Sequence, residues 1–222
     1  MHPHRGIETV TYLLEGEVWH KDSIGNGGSI GSGDAQWMTA GSGIMHHEMP
    51  KGSSGLKGFQ LWVNLPSQHK MSDPRYRGII SNQIPETSIG KNSSVKIIAG
   101  EFNGNKAAFN DIYADPIYLD INIKGADTIE IPLPTNYNSF IYVFDNKLLI
   151  NDTKIVAGDV VLFNQDGDNI KVSTDLAGSR FLIAAGKPLN EPIAWYGPIV
   201  MNTEEELYIA RNELISGSFI KS

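Results

Sequence analysis

The chain has 222 residues, with 18 Lys+Arg against 25 Asp+Glu, a formal net charge of −7 and no cysteine. An acidic balance without a basic run speaks against direct nucleic-acid binding, and the missing thiols exclude disulfides, thiolate zinc sites, cysteine-ligated iron–sulfur clusters and cysteine nucleophiles. No apolar run approaches the ~18 residues that span a bilayer and the first residues lack a signal-peptide layout, so a cytoplasmic protein without membrane contact is expected.

In chain order, residues 9–14, 35–39, 59–63, 95–99, 117–121, 140–144 and 159–163 are short runs rich in β-branched and aromatic side chains. Each is bounded by Gly, Asn, Asp or Pro, which is the signature of strands. Turn chemistry recurs at Asn26-Gly27-Gly28, Asn103-Gly104-Asn105 and Asp166-Gly167-Asp168. Many short strands with dense turns predict an all-β sandwich or jelly roll. The period changes only near the end. Thr203 with Glu206 forms a capping box, Leu207, Ala210 and Leu214 share one stripe, and Gly217 is a stop, so a single C-terminal helix is predicted.

An internal echo accompanies the strands. Tyr12 to Gly16 followed by Gly33-Asp34 is matched by Tyr142 to Asn146 followed by Gly158-Asp159. Two copies of one β unit explain this economically. The expected domains are 1–84 and 95–222, the second carrying the helix, with the Pro/Ser/Gly/Asn-rich stretch 83–94 as a linker. All six histidines lie between positions 2 and 69, so chemistry is expected in the first copy and a structural role in the second.

Alternate side chains of a strand face the same way. His2 and His4 therefore share a face, as do His46 and Glu48, while His47 points away. Gly41-Ser42-Gly43 ahead of the second pair lets two strands approach closely. His2, His4, His46 and Glu48 are accordingly the expected metal ligands. His20 and His69 sit among polar or loop residues and are expected to be solvated. Three imidazoles and a carboxylate suit Fe(II), Mn(II), Ni(II) or Zn(II). Iron is favoured because four ligands leave two open positions, where a substrate oxygen and dioxygen can meet.

The stretch from His2 to Gly16 (HPHRGIETVTYLLEG), Gln36-Trp37-Met38-Thr39-Ala40-Gly41, His46-His47-Glu48-Met49-Pro50, Leu61 to Pro66 and Gly197 to Thr203 resemble the pirin family of the cupin superfamily. The resemblance implies a bicupin: two jelly-roll β-barrels, the first holding a metal, usually iron, and the second degenerate. It maps the family's ligands onto His2, His4, His46 and Glu48. Glu8, which supplies the carboxylate in many other cupins, is the alternative, either as a ligand or as an acceptor orienting an imidazole. Pirins carry further residues ahead of the His-Pro-His motif. The first barrel is therefore expected to lack its initial strands, His2 to sit at a fraying end, and an unpaired sheet edge to invite oligomerisation.

Two functions follow from the resemblance. One is an Fe(II)-dependent quercetin 2,3-dioxygenase, taking O2 and a small aromatic substrate, with Glu48 as catalytic proton acceptor. The other is a metal- or redox-dependent regulator that binds a protein partner, such as a transcription factor or a metabolic enzyme.

Overall fold

The computed structural model describes residues 1–52, 55–109 and 111–221. It is built from short strands, β1 (His2–His4), β2 (Ile7–Glu15), β3 (Glu17–Asp22), β4 (Gly27–Ile30), β5 (Ala35–Thr39), β6 (Ile44–Lys51), β7 (Lys57–Asn64) and β8 (Arg75–Ile79) in the first part. The second part contains β9 (Glu86–Ile89), β10 (Ser93–Ala99), β11 (Glu101–Phe102), β12 (Asn105–Lys106), β13 (Ile117–Ile123), β14 (Asp127–Pro132), β15 (Asn138–Ile150), β16 (Thr153–Val156), β17 (Val160–Leu162), β18 (Asn169–Thr174) and β19 (Ser179–Gly186). A short hairpin of β20 (Ala194–Tyr196) and β21 (Ile199–Met201) leads into the helix α1 (Glu204–Ser216). No helix among the described residues is long and apolar enough to cross a membrane.

The chain divides into two compact units, Met1–Gln83 together with the segment from Leu189 onward, and Ile84–Pro188. This corrects two expectations. First, the helix belongs to the first unit. Leu207 and Ala210 of α1 pack with Ala194, Ile199 and Met201 of the β20–β21 hairpin, and Met45 of β6 joins that cluster. Helix burial is decided by which apolar surface lies across from the stripe, and sequence distance does not determine that. Second, the supposed linker 83–94 contains β9, which pairs antiparallel with β10 from Ser93↔Ile89 to Lys96↔Glu86. Its polar composition is that of an edge strand with alternate residues exposed. The helix itself forms as its sequence requires. Thr203 and Glu206 make the reciprocal capping box, and Gly217 takes φ +76° at the C-cap.

In the first unit, four strands in the order β1-β6-β3-β4 form one sheet, and β7-β2-β5-β8 form another. Side chains of β6 and β3 meet those of β2, β5, β7 and β8, so the sheets face each other. Their shared interior is unusually polar, with His4, His20, His46 and Gln36 all buried. The second unit has a long path of strands, β14-β18-β15-β19-β13-β10-β9, and an apolar interior with branched aliphatics such as Ile97, Ile121, Ile141 and Val172. Beta-branched side chains on alternate positions fill that space without a polar group to satisfy.

The internal echo is visible as hydrogen bonding. Gly33 N donates to Leu13 O and Leu13 N to Asp34 O, while Gly158 N donates to Val143 O and Val143 N to Asp159 O. In each copy the aspartate closes the turn with its side chain, Gly31 N donating to Asp34 Oδ2 and Val156 N to Asp159 Oδ2. Gly33 and Gly158 both have positive φ, +84° and +100°, where a side chain would strain the turn. One β unit has been built twice, with a polar interior in the first copy and an apolar one in the second.

Candidate metal centre

The site is assembled on β6, which lies between β1 and β3. Register places His2 opposite His46 on one side and Asp22 opposite His46 on the other, with His20 opposite Glu48. Period-2 alternation then aims His46 and Glu48 into the unit, as expected. His47 lies on the other face beside Trp19, with ring centroids 5.3 Å apart.

Where a fraying end was expected, β1 is a paired strand. His2, Pro3 and His4 are paired with β6, and Arg5 forms a parallel bridge to Ile199. The Arg5 guanidinium is buried. It donates to Phe219 O at 3.0 Å, pairs with Glu213 of α1 at 2.7 Å, and lies 4.2 Å from the Phe219 ring centroid. Gly6 follows at φ +75°, and a Cβ there would sit 1.9 Å from Val200 O. Close backbone approach at that glycine, with the buried arginine beside it, fixes the strand that carries both N-terminal imidazoles.

His2 Nε2 and His4 Nε2 lie 3.1 Å apart. The ring centroid of His46 is 4.3 Å from that of His2 and 5.0 Å from that of His4. Two nitrogens at right angles on an ion with metal–nitrogen bonds of about 2.1 Å are about 3 Å apart, so this spacing fits a cation. His46 is 1 % exposed, and neither of its ring nitrogens has a hydrogen-bond partner among the described residues. A buried imidazole that satisfies neither nitrogen is costly; a ligand to one of them removes part of that cost. Burial holds His46 down to about pKa 3, with the neighbouring imidazoles adding to the effect. Burial and His2 hold His4 down to about 4. Both rings are thus neutral near pH 7, as ligation requires.

Among the described residues two groups of side chains can each hold a metal ion, His2/His4/His46 and His20/His46/Glu48. The four expected ligands therefore do not gather as one set in this conformation. Three of them converge, and Glu48 joins His46 together with His20. The carboxylate of Glu48 is held by the facing sheet. Thr11 Oγ1 donates to Oε1 at 3.2 Å, Gln36 Nε2 donates to Oε1 as well, and Gln60 Nε2 donates to Oε2 at 2.7 Å. Trp62, 41 % exposed, meets the His4 ring edge-on at 5.2 Å and donates Nε1 to Gln60 Oε1 at 3.2 Å.

Two sequence expectations are overturned here. His20 is not solvated; it is 1 % exposed, hydrogen-bonded to Asp22 and stacked on Tyr76. Its position between polar residues misled because alternate residues of β3 point outward, and only the inward set (Val18, His20, Asp22) is buried. Glu8 is not beside the imidazoles. The chain turns at Gly6, and β2 belongs to the facing sheet, where Thr11 points into the site and Glu8, three residues away, points to the opposite face. There it is fully buried, accepts from Thr39 Oγ1 at 2.7 Å, and has its pKa raised chiefly by burial. Thr11, Gln36, Gln60 and Tyr76 were not singled out from the sequence. Their signal was a polar or aromatic residue at an inward strand position.

Comparison with known proteins places the chain in a family. The family model described as Pirin matches residues 1–63, and that described as Pirin C-terminal cupin domain matches residues 118–220. A Thermoplasma acidophilum protein provisionally named quercetin 2,3-dioxygenase is 40 % identical over 240 residues, covering 100 % of this chain and 92 % of that protein. Human pirin is 40 % identical over 214 residues, covering 93 % of this chain and 72 % of its own. The crystal structure of a quercetin 2,3-dioxygenase from Acinetobacter baumannii superposes with a TM-score of 0.90 at 37 % identity, covering 98 % of this chain and 77 % of that one. With two cupin-type units, the first lined by inward-facing histidines, and with relatives matched along its whole length, this chain belongs to the pirin family.

Proposed function

We propose that the chain is a metal-dependent dioxygenase acting on a flavonol-like aromatic substrate, with quercetin as the test compound and Fe(II) as the working metal. The ligands assigned are His2, His4, His46 and Glu48, the carboxylate swinging toward the imidazoles on metal binding. The observation that carries this reading is His46, buried between two further imidazoles with both nitrogens unpartnered. When bound, Fe(II) supplies a Lewis acid for a phenolic oxygen and a redox partner for O2.

The protein's own residues then have distinct tasks. Glu48 accepts the proton of the substrate hydroxyl. Its Oε1 already takes bonds from Thr11 and Gln36, whereas Oε2 takes one from Gln60, so Oε2 has lone-pair capacity left for that proton. Trp62 offers an exposed indole beside His4, a surface on which a planar ring can stack. The inward threonine and glutamines orient the carboxylate in the metal-free protein, and they are the donors it leaves in part when it moves to the ion.

Anaerobic loading with Fe(II), followed by O2 and quercetin, tests this directly. The expected result is loss of flavonol absorbance with release of carbon monoxide, removed by His46→Ala. Unchanged absorbance and no carbon monoxide from a protein that has bound one equivalent of iron would refute the assignment.

A further inference from the structure

We propose that the first unit contains a second, alternative seat for a divalent cation, formed by His20, His46 and Glu48. It rests on the metal-centre reading above, with which it shares His46 and Glu48, and is independent of which substrate is turned over.

The donor atoms of these three residues lie within 4.8 Å of one another. Register accounts for this, since His20 of β3 faces Glu48 of β6 and Asp22 faces His46. His20 has the surroundings of a ligand. Its Nε2 is 3.2 Å from Asp22 Oδ2, and Asp22 is itself fixed by Ile24 N at 3.0 Å, Asn26 N at 2.9 Å and Asn26 Nδ2 at 3.0 Å. A carboxylate so held places the imidazole proton on Nε2 and leaves the lone pair on Nδ1, the arrangement by which metal-ligating histidines are oriented. Nδ1 is buried and has no partner among the described residues. Stacking on Tyr76, with centroids 4.1 Å apart and planes 18° from parallel, locks the ring. A histidine that only filled the core would have both nitrogens satisfied.

Two imidazoles and one carboxylate are sufficient for a divalent first-row metal. This triad draws only on β3 and β6, whereas the His2/His4/His46 triad needs β1. Both use His46, and a second dication a few ångströms away is strongly repelled, so the seats are occupied alternately. His46 becomes the pivot about which the ion shifts between the position shared with His2 and His4 and the one shared with His20.

The test is Co(II) titration of the whole 222-residue chain, read by calorimetry and by visible ligand-field absorption, with no turnover involved. Wild type is expected to bind one equivalent. His2→Ala/His4→Ala is expected to retain one equivalent at lower affinity with an altered spectrum. Adding His20→Phe, which keeps the stacking on Tyr76, is expected to abolish it, and adding Asp22→Asn instead to weaken it about 10–100-fold. Circular dichroism in EDTA checks each fold; should the His20 variant unfold, the Asp22 comparison decides. Loss of all Co(II) binding in the His2/His4 double variant, with wild type still binding, overturns the second seat and leaves the metal-centre reading standing. Unchanged affinity on adding either His20→Phe or Asp22→Asn overturns it too. A wild-type chain that binds no Co(II) defeats both readings.

Discussion

Tyr76 donates its hydroxyl to Gln36 Oε1 at 3.0 Å, and that bond decides which end of the Gln36 amide faces Glu48. With the oxygen committed to Tyr76, the NH2 group points at the carboxylate. Burial, with Glu48 and Asp22 nearby, pushes the Tyr76 phenol up to about 12, so it remains a donor across the working range. Tyr76→Phe should therefore cost about 1 kcal/mol in stability. It should also free the amide to flip and present oxygen to Glu48, lowering metal affinity about tenfold. Urea denaturation of the metal-free protein and a metal titration measure the two effects separately.

His46 predicts a conflict between stability and function. Its two unpartnered buried nitrogens are a liability in the metal-free protein, worth about 1–3 kcal/mol. His46→Leu should raise the urea midpoint of the metal-free chain and eliminate the stabilisation that added metal gives the wild type. A lower midpoint in EDTA would show that the imidazole is satisfied in a way the structure does not reveal.

The imidazoles also set a pH dependence. His4 and His46 have folded-state values of about 4 and about 3, depressed chiefly by burial, against 6.5 for the unfolded chain. Between these limits the unfolded state binds more protons, so stability rises with pH and is lost as pH falls from about 6.5 toward 3. Glu8, whose pKa is raised by burial, acts with the opposite sign above 4.5. Comparing metal-free wild type with His4→Ala/His46→Leu by thermal unfolding at pH 4–7 isolates the histidine contribution. The variant should show the shallower slope.

Gly6 is predicted to be intolerant. At φ +75°, with a would-be Cβ at 1.9 Å from Val200 O, Gly6→Ala must move backbone, and a cost of about 3 kcal/mol or more is expected. Because β1 is fixed at this point, His2 and His4 should lose their register with β6 as well. Thermal unfolding and metal titration are expected to fall together. Gly25→Ala is the control: it also has positive φ, +92°, but nothing lies within 4 Å of the added atom.

Strand placement was legible because period-2 patterning is local. Residues 9–14 and 35–39 fall within β2 and β5, and the same local rule pairs His2 with His4 and His46 with Glu48. The Gly-Asp echo was legible too, since a turn that needs positive φ and a side-chain acceptor advertises itself in two adjacent residues. Asn26-Gly27-Gly28 was read less well: the turn closes at Asn26, which accepts from Asp22 N, and both glycines begin β4.

The sequence by itself determined the β architecture, its duplication, the confinement of every histidine to the first copy and the inward parity of four candidate ligands. Only the tertiary structure decided that His20 enters the site, that Glu8 leaves it, that Glu48 is gripped by the opposite sheet and that the terminal helix closes back on the first unit. The division has one physical cause. Which way a side chain points along its own strand follows from backbone geometry two residues at a time, whereas what it meets depends on long-range register between strands that no local pattern encodes.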